Sequence, residues 1–442
     1  MSRSVVTAVS GPWESTLVTT LERGTDAQIA RRCPDLADLL AVSGSGLAQV
    51  ALVSADLRSL DRTALDHLRE CSVTVVGIYP PGDEMAELHL RQLGISIVIP
   101  ADASGEVIQA ALDALDAVEL QPGSPSGWLP QELGPAAAGS PASVKEPARR
   151  RPESGTSGLT GADHQDGVGA IVAVWGPAGA PGRTTVALNV ASELARLGQP
   201  TVLVDADTYG GCIAQSLSLL DEAPGLAAAT RSADQGSLDL AVLARLAPEV
   251  CSGLRVLTGI PKAERWPELR AAALEHVLTL TRRLARFTVI DCGFSLEDDE
   301  ELSYDTLAPR RNAATLTSLG VADQVLAVGA GDPIGLQRLV RGLQELGTVA
   351  SPSPTVVINR VRASAVGSRP ERRIREALTR FAGIDELRFI PDDPATMDRA
   401  LLAGQSLAEA APDSEVRRSL LALASELSGV PVPHLGRRRR GA

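Results

Sequence analysis

The stretch Ile171–Gly198, IVAVWGPAGAPGRTTVALNVASELARLG, decides the fold of this 442-residue chain. It begins with a continuous apolar run, passes through a turn of Gly, Ala and Pro, and continues as a helix filled with Val and Leu. Backbone N–H groups in such a turn and the positive end of the following helix converge on an anion. Small residues at Gly179, Ala180 and Gly182 let the backbone approach that anion closely. We therefore predict a buried strand, a phosphate-binding loop and a helix in this order.

The loop departs from the common pattern G-x-x-x-x-G-K-[ST]. Gly182, Arg183 and Thr184 occupy its last three places, so an arginine stands where lysine is expected, and Pro177 stands at the first glycine. Arginine keeps the positive charge on a longer, planar group, so it can still contact phosphate. All but two of the 42 Lys and Arg residues are arginine, which offers a simple explanation for Arg183. The Thr184 hydroxyl, at the start of the helix, can hold Mg²⁺.

Composition excludes several classes of protein. Hydrophobic residues make up 44% of the chain, as in ordinary globular proteins, and the length suits roughly two to three domains. The net charge of −12 argues against a general nucleic-acid coat. Five scattered cysteines without a CxxC pair indicate free thiols in a reducing cytoplasm rather than a zinc site or a disulfide framework. No apolar run approaches ~20 residues and no secretory signal is evident, so we expect a cytoplasmic protein without a membrane-spanning helix.

Four regions follow one another along the chain. In residues 1–118, short apolar runs alternate with helical patterns, which predicts a parallel sheet covered by helices on both faces. Residues 119–168 are rich in Pro, Gly, Ser and Ala, which predicts a disordered linker. The alternation resumes in a larger α/β domain at residues 169–430. Residues 431–442 form a basic tail that contains the run Arg437–Arg440.

Five further motifs follow the loop in order. They are TVLVDADTYGG (Thr201–Gly211), TVIDCG (Thr288–Gly293), VINR (Val357–Arg360), IPDD (Ile390–Asp393) and DRALLAGQSL (Asp398–Leu407). With the loop, this set resembles the MinD/ParA family of P-loop ATPases, which implies a P-loop NTPase domain with a mostly parallel sheet. The region in front is similar to a receiver domain, which is flavodoxin-like. The combination resembles the CpaE/TadZ branch, which is associated with positioning Tad/Flp pilus machinery, and actinobacterial septum-site-determining proteins look similar too.

The resemblance implies ATP and Mg²⁺ as ligands and gives particular residues a role. Those that would bind the nucleotide are Gly179, Ala180, Pro181, Gly182, Arg183, Thr184, Thr185, Asn359, Pro391 and Asp392. Those that would hold Mg²⁺, partly through water, are Thr184, Asp205 and Asp291. Asp207 would orient the attacking water, and Arg183 would take part in catalysis. Acidic groups at the carboxyl ends of parallel strands line the crevice where ligands bind. Taken alone, each Asp could instead cap a helix or lie in a loop.

A second lysine that the resemblance leads us to expect is absent. Family members usually carry it five positions before the P-loop lysine, where it reaches the partner's nucleotide across a dimer, and this chain has Ala178 there. Phosphoryl transfer depends on positioned charge, so any hydrolysis is expected to be slow. Arg310 or Arg311, behind the acidic segment Glu297–Glu301, could replace the lost charge. An exposed charged loop is the alternative for both arginines.

The resemblance implies an ATPase that forms an ATP-dependent homodimer and recruits or localises a partner machine, either a pilus or a division apparatus. A nucleotide-binding scaffold with weak or lost hydrolysis is the first alternative. A DNA-partitioning protein is the second, although the acidic total makes DNA an unfavourable partner.

The basic tail permits peripheral contact with anionic lipid at the inner face of the plasma membrane. The helix predicted near Ser414–Leu427 precedes this tail and places Arg417 and Arg418 on its polar side. Its stripe of leucines is more typical of core packing than of a membrane surface.

The first region lacks the residues that a phosphorylatable receiver needs. Ser10 and Gly11 follow its first predicted strand, Ser54 follows its third and Pro100 follows its fifth, and the region contains no lysine. Without an acidic pair, Mg²⁺ has too few ligands for phosphoryl transfer. We therefore predict a non-phosphorylatable protein-interaction module, in which Asp56 caps a helix rather than accepting phosphate.

Overall fold

A computed structural model describes residues 3–9, 11–58, 60–119, 168–219, 224–298 and 309–432. The predicted linker at residues 119–168 lies outside the described residues apart from its two end positions. The tail beyond residue 432, with its arginine run, also lies outside them.

The first sheet has five parallel strands in the order β2-β1-β3-β4-β5. Its strands and helices are β1 (Arg3–Ala8), α1 (Gly11–Gly24), β2 (Ala27–Arg32), α2 (Leu36–Gly44), β3 (Val50–Ser54), α3 (Arg62–Glu70), β4 (Thr74–Tyr79), α4 (Glu84–Leu93), β5 (Ile97–Pro100) and α5 (Gly105–Glu119). Val5 and Val6 point into separate apolar cores, one on each face of the sheet. Helices on both faces and this strand order make the fold flavodoxin-like, which confirms the prediction.

The second sheet has the order β13-β12-β11-β6-β10-β7-β9-β8. Its strands are β6 (Ala170–Trp175), β7 (Thr201–Ala206), β8 (Glu249–Cys251), β9 (Leu254–Leu257), β10 (Phe287–Cys292), β11 (Gln324–Ala330), β12 (Thr355–Val361) and β13 (Leu387–Pro391). Among these described strands only β8 runs antiparallel to its neighbour. The mostly parallel sheet that the sequence predicts is therefore confirmed.

Helices cover both faces of this second sheet. They are α6 (Arg183–Arg196), α7 (Ile213–Ser216), α8 (Gly225–Asp234), α9 (Leu240–Leu246), α10 (Ala271–Leu284), α11 (Ala313–Gly320), α12 (Pro333–Leu346), α13 (Ala363–Val366), α14 (Pro370–Ala382), α15 (Pro394–Ala403), α16 (Leu407–Ala410) and α17 (Glu415–Ser428). The apolar residues of α6 and α17 share one core, which also receives Val172 and Val174 of β6. Ile171 and Ala173 point into the core on the opposite face.

The central position of β6 places the glycine-rich loop. This strand is buried along its whole length between β10 and β11, as expected for a strand covered on both faces. The chain leaves β6 at Trp175 and enters α6 at Arg183, so the loop lies at the carboxyl edge of the sheet. Asp291 of β10 is paired in register with Asp205 of β7, which brings both side chains to the same edge.

Arg417 does not lie on a polar face of the last helix, so this prediction is wrong. Its guanidinium is buried and contacts both carboxylate oxygens of Glu193 on α6, at 2.6 and 3.2 Å. The leucine stripe of α17 packs in the core, as expected. Because the Arg417 side chain is buried in an ion pair with Glu193, it is not available to contact lipid.

The two sheets meet through helices. Arg270, just before α10, pairs with Asp61 at 2.8 Å, and Arg62 of α3 donates to the carbonyl of Ala233 at 3.2 Å. Asp61 also caps α3 by accepting from the N–H of Ala64. The prediction that Asp56 caps a helix is therefore wrong: its carboxylate accepts from the hydroxyl of Ser54, the last residue of β3.

Within the described residues, no helix is both long and apolar enough to span a bilayer.

Candidate functional site

The glycine-rich loop has a backbone that only glycine adopts comfortably. Gly179 has a φ of 74° and Gly182, the N-cap of α6, has a φ of 95°. A Cβ added at Gly182 would collide with the amide nitrogen of Asn359 on β12. That amide donates to the carbonyl of Pro181 at 2.9 Å, so β12 holds the end of the loop in place. The N–H groups at the start of α6 are thereby left facing the carboxyl edge of the sheet.

A cavity of about 530 Å³ opens beside the loop. Its lining includes Gly182, Thr184 and Thr185 from the loop and α6, Asn359 and Arg360 from β12, and Pro391 and Asp392 after β13. Asp392 is held by Arg362 at 3.5 Å. Apart from Arg360, these are residues that the sequence predicts as one nucleotide site, and the structure brings them together from positions up to 210 apart.

Two buried carboxylates stand at the same edge with unsatisfied oxygens. Asp205 accepts from the N–H of Ile213 at 3.1 Å through one oxygen, while its other oxygen has no hydrogen-bond partner among the described residues. Neither oxygen of Asp291 has one. Burial is the main cause that raises the pKa of Asp205 to about 7. The negative charge of Asp207 raises this pKa further, whereas the backbone hydrogen bonds to the carboxylate lower it. Burial and the Asp205 charge raise the pKa of Asp291 well above its usual range, which the nearby Thr184 hydroxyl partly offsets.

Arg183 is turned toward protein groups. Its Nη2 donates to Asp207 at 3.1 Å, its Nη1 donates to the carbonyl of Gly176 at 3.2 Å, and its guanidinium lies 5.9 Å from the centre of the Phe294 ring. The other oxygen of Asp207 accepts from the N–H of Tyr209 at 2.9 Å. The two residues predicted as catalytic are therefore joined in one ion pair. Only 15% of the Arg183 side chain and 5% of the Asp207 side chain are exposed.

The match to known proteins rests on the same region. Residues 172–402 match the family described as the CobQ/CobB/MinD/ParA nucleotide binding domain, which is more than half of the chain. The chain belongs to this family. No curated protein matches it significantly.

Several solved structures resemble this domain. The cell division ATPase MinD of Pyrococcus furiosus is 19% identical, with 60% of this chain and 100% of that chain covered and a TM-score of 0.47. A ParA family ATPase from Chlorobium tepidum is 17% identical, with 58% and 98% covered and a TM-score of 0.49. The septum site-determining protein MinD of Pyrococcus horikoshii, complexed with Mg-ADP, is 20% identical, with 58% and 95% covered and a TM-score of 0.45.

The donor set of this site fits Mg²⁺. Hard oxygen ligands are what this ion prefers, and the three unpaired oxygens of Asp205 and Asp291 are buried beside Thr184. Within the described ranges, no three His, Cys, Asp or Glu side chains form a metal cage by themselves. Mg²⁺ usually keeps several waters and uses one or two carboxylates together with substrate phosphates, so the two aspartates and Thr184 suffice.

Three features of the site have no counterpart in the sequence prediction. The Tyr209 ring packs against Phe294 with centroids 4.7 Å apart, and the guanidinium of Arg311 lies 3.9 Å from the centre of the Tyr209 ring. The third is Arg338 of α12, which lies against the loop at Gly179. Tyr209 and Phe294 are far apart in the chain, so their contact leaves no signal in the sequence, and nothing in the sequence marks Arg338 either.

The structure places the two candidate replacement arginines differently. Arg310 pairs with Asp298 at 3.4 Å in an exposed position. Arg311 donates to the carbonyl of Thr208 at 3.2 Å and is partly buried. Most of the acidic segment in front of them, from residue 299 onward, lies outside the described residues.

The raised pKa of Asp205 predicts a stability effect. In the unfolded chain this carboxyl ionises near pH 3.9, whereas in the folded protein its pKa is about 7, so the folded state holds more protons between these values. Stability is therefore lost as the pH rises through that window. Without nucleotide or Mg²⁺, Asp205→Asn should raise the melting temperature at pH 8 by about 3 °C or more, with little difference at pH 4.

Thermal unfolding followed by circular dichroism at both pH values measures this effect. The exposed Asp385→Asn is the matched control and should leave the melting temperature unchanged at both. A lower melting temperature for Asp205→Asn than for the wild type at pH 8 would contradict the burial of an uncompensated charge at this position.

Proposed function

We propose that this chain binds ATP with Mg²⁺ and hydrolyses it slowly. The observation that carries the proposal is the pair of buried aspartates with unsatisfied oxygens at the mouth of a glycine-rich loop. Burying a carboxylate without partners is costly, so a fold retains such groups where a cation or a polar ligand completes them. The family match to a nucleotide-binding domain supports the same conclusion.

The residues divide the work according to their positions. Gly179–Thr185 supplies backbone N–H groups for the phosphates, and Asn359, Pro391 and Asp392 border the part of the cavity that suits the base. Thr184, Asp205 and Asp291 would hold Mg²⁺, partly through water. The ion would neutralise phosphate charge when bound.

Asp207 and Arg183 make up the catalytic part of the proposal. Asp207 orients the attacking water through its carboxylate, and that role requires release of the oxygen now paired with Arg183. When Arg183 leaves Asp207, its guanidinium becomes free for the phosphates, where its planar fork can contact two oxygens. Exchange of this one ion pair would thus free both residues for the reaction. Breaking the pair would add a barrier, which is a reason to expect slow turnover.

The same ion pair favours a second candidate, a nucleotide-binding scaffold without hydrolysis. If Arg183 stays on Asp207 when ATP is bound, neither residue reaches the reacting groups. Steady-state release of phosphate by the full-length protein separates the two functions. We expect the wild type to turn over, Arg183→Ala to lose activity by about tenfold or more, and Arg183→Lys to retain part of it. ATP binding without any phosphate release would instead establish the scaffold.

We further propose that the protein acts as an ATP-dependent homodimer that positions a partner machine. Family membership supports the nucleotide-binding part of this proposal, and the resemblance of the motifs to MinD/ParA ATPases suggests the positioning role. Whether the machine is a Tad/Flp pilus, as in the CpaE/TadZ branch, or a division apparatus is the finer part of this proposal. Sedimentation velocity with ATP, with ADP and without nucleotide tests dimerisation. A monomer under all three conditions would contradict it.

The proposed organisation has a pseudo-receiver at residues 1–118, a linker at 119–168, an ATPase domain at 169–430 and a basic tail at 431–442. The flavodoxin-like sheet supports an interaction module in the first region. We place the protein in the cytoplasm, with the tail available for anionic lipid. DNA is the less favoured partner because the whole chain has a net charge of −12.

A further inference from the structure

In this structure the nucleotide loop presents no positive group that is free of protein partners. Ala178, exposed at the tip of the loop, carries no charge, and both terminal nitrogens of Arg183 are engaged with Gly176 and Asp207. A triphosphate brings more negative charge than a diphosphate, and the additional charge is on its terminal phosphate. Recognition of that phosphate therefore calls for a further positive group within reach of the loop.

Helix α12 lies unusually close to this loop. A Cβ added at Gly342 would approach Cβ of Pro177 to 2.9 Å, and one added at Gly335 would approach Cβ of Ala330, at the end of β11, to 2.5 Å. These two glycines are seven residues apart, so they lie on the same face of the helix. Their lack of side chains lets α12 pack directly against β11 and the first residue of the loop.

Arg338 lies on the loop-facing side of α12, between these glycines. A Cβ added at Gly179 would lie 3.2 Å from Cζ of Arg338 and would collide with its Nη1. The guanidinium is therefore in contact with the tip of the loop, next to the uncharged Ala178. Among the described residues, no salt bridge to a carboxylate engages Arg338, and its side chain is exposed.

The geometry points to Arg338 as the residue that binds the terminal phosphate of a nucleoside triphosphate. It supplies, from the same chain, a positive charge at the tip of the loop, so that the site distinguishes a triphosphate from a diphosphate. This inference rests on the proposed nucleotide-binding function. Arg311, stacked on Tyr209 and bonded to Thr208, is less free to take this role.

Binding of two nucleotides to the full-length protein tests the assignment. The probes are the non-hydrolysable triphosphate adenylyl imidodiphosphate and ADP, each with Mg²⁺, measured by isothermal titration calorimetry. Arg338→Ala should weaken triphosphate binding by about tenfold or more and change ADP binding by less than about twofold. Arg338→Lys should recover part of the loss. Arg341→Ala, at another exposed arginine one turn along α12, should change neither affinity.

Each outcome bears on a different claim. Equal weakening for both nucleotides, or no weakening for either, in Arg338→Ala would overturn the assignment while leaving the proposed nucleotide site standing. A wild type that binds neither nucleotide would overturn the proposed function and this inference together. Arg338→Gln is the second variant if the alanine variant melts at a lower temperature than the wild type. Its affinities are interpreted in the same way.

Discussion

Arg417→Ala is expected to lower the free energy of unfolding by about 3–5 kcal/mol. Arg417 on α17 and Glu193 on α6 form a bidentate ion pair with only 11% and 2% of their side chains exposed. Nη1 of Arg417 also donates to the carbonyl of Pro412 at 2.7 Å. Removing the guanidinium leaves the Glu193 carboxylate buried without a counter-charge, and that penalty is larger than the value of the pair itself. The helix α17 would lose its specific attachment to α6.

Urea denaturation followed by circular dichroism measures this change, and the melting temperature should fall by about 10 °C. Arg388→Ala is the matched control, since Arg388 also contacts both oxygens of a glutamate, Glu426, but about a third of each side chain is exposed. Exposed pairs are worth no more than about 1 kcal/mol. Similar losses in the two variants would show that burial of Arg417 does not determine the effect.

Gly182→Ala is expected to weaken ATP binding by about 100-fold or more. A methyl group at this position would occupy the space of the Asn359 amide, and the backbone is in the left-handed region. The loop would have to shift, which displaces the N–H groups that face the phosphates. Losing charge-assisted hydrogen bonds worth ~1.5–3 kcal/mol each is enough for a change of this size.

The control for this variant is Gly198→Ala. Gly198 also has a positive φ, 77°, but a Cβ added there meets no atom within 4 Å. Its substitution imposes comparable backbone strain far from the site, so ATP affinity should stay within about twofold of the wild type. Equal affinities for Gly182→Ala and Gly198→Ala would show that the loop does not bind the nucleotide.

The second sheet could be predicted from the sequence largely because its strands are buried on both faces. A continuous apolar run such as Ala170–Trp175 has few alternatives to a central strand. The edges were harder to predict. Strand β2 (Ala27–Arg32) is largely exposed and contains two arginines, and β13 (Leu387–Pro391) is short and interrupted by Arg388, so neither shows a clear apolar pattern.

The candidate site likewise has a part that the sequence predicts and a part that it does not. The loop and the acidic residues are recognisable because each lies at, or directly after, the carboxyl end of a buried strand, and the structure brings them together. Pairings between distant residues leave no local signal: Arg417 lies 224 positions from Glu193, and its charge alone suggested an exposed face. The contact of Arg338 with Gly179 likewise depends on how closely α12 packs, which two glycines determine only in the folded protein.

Calorimetric titration of the full-length wild-type protein with ATP, with and without Mg²⁺, tests the nucleotide site most directly. We predict saturable binding of one ATP per chain that Mg²⁺ strengthens, because the unpaired oxygens of Asp205 and Asp291 then gain a cation. Absence of binding at millimolar ATP, or binding that is indifferent to Mg²⁺, would contradict the assignment of this loop and these two aspartates to a Mg-ATP site.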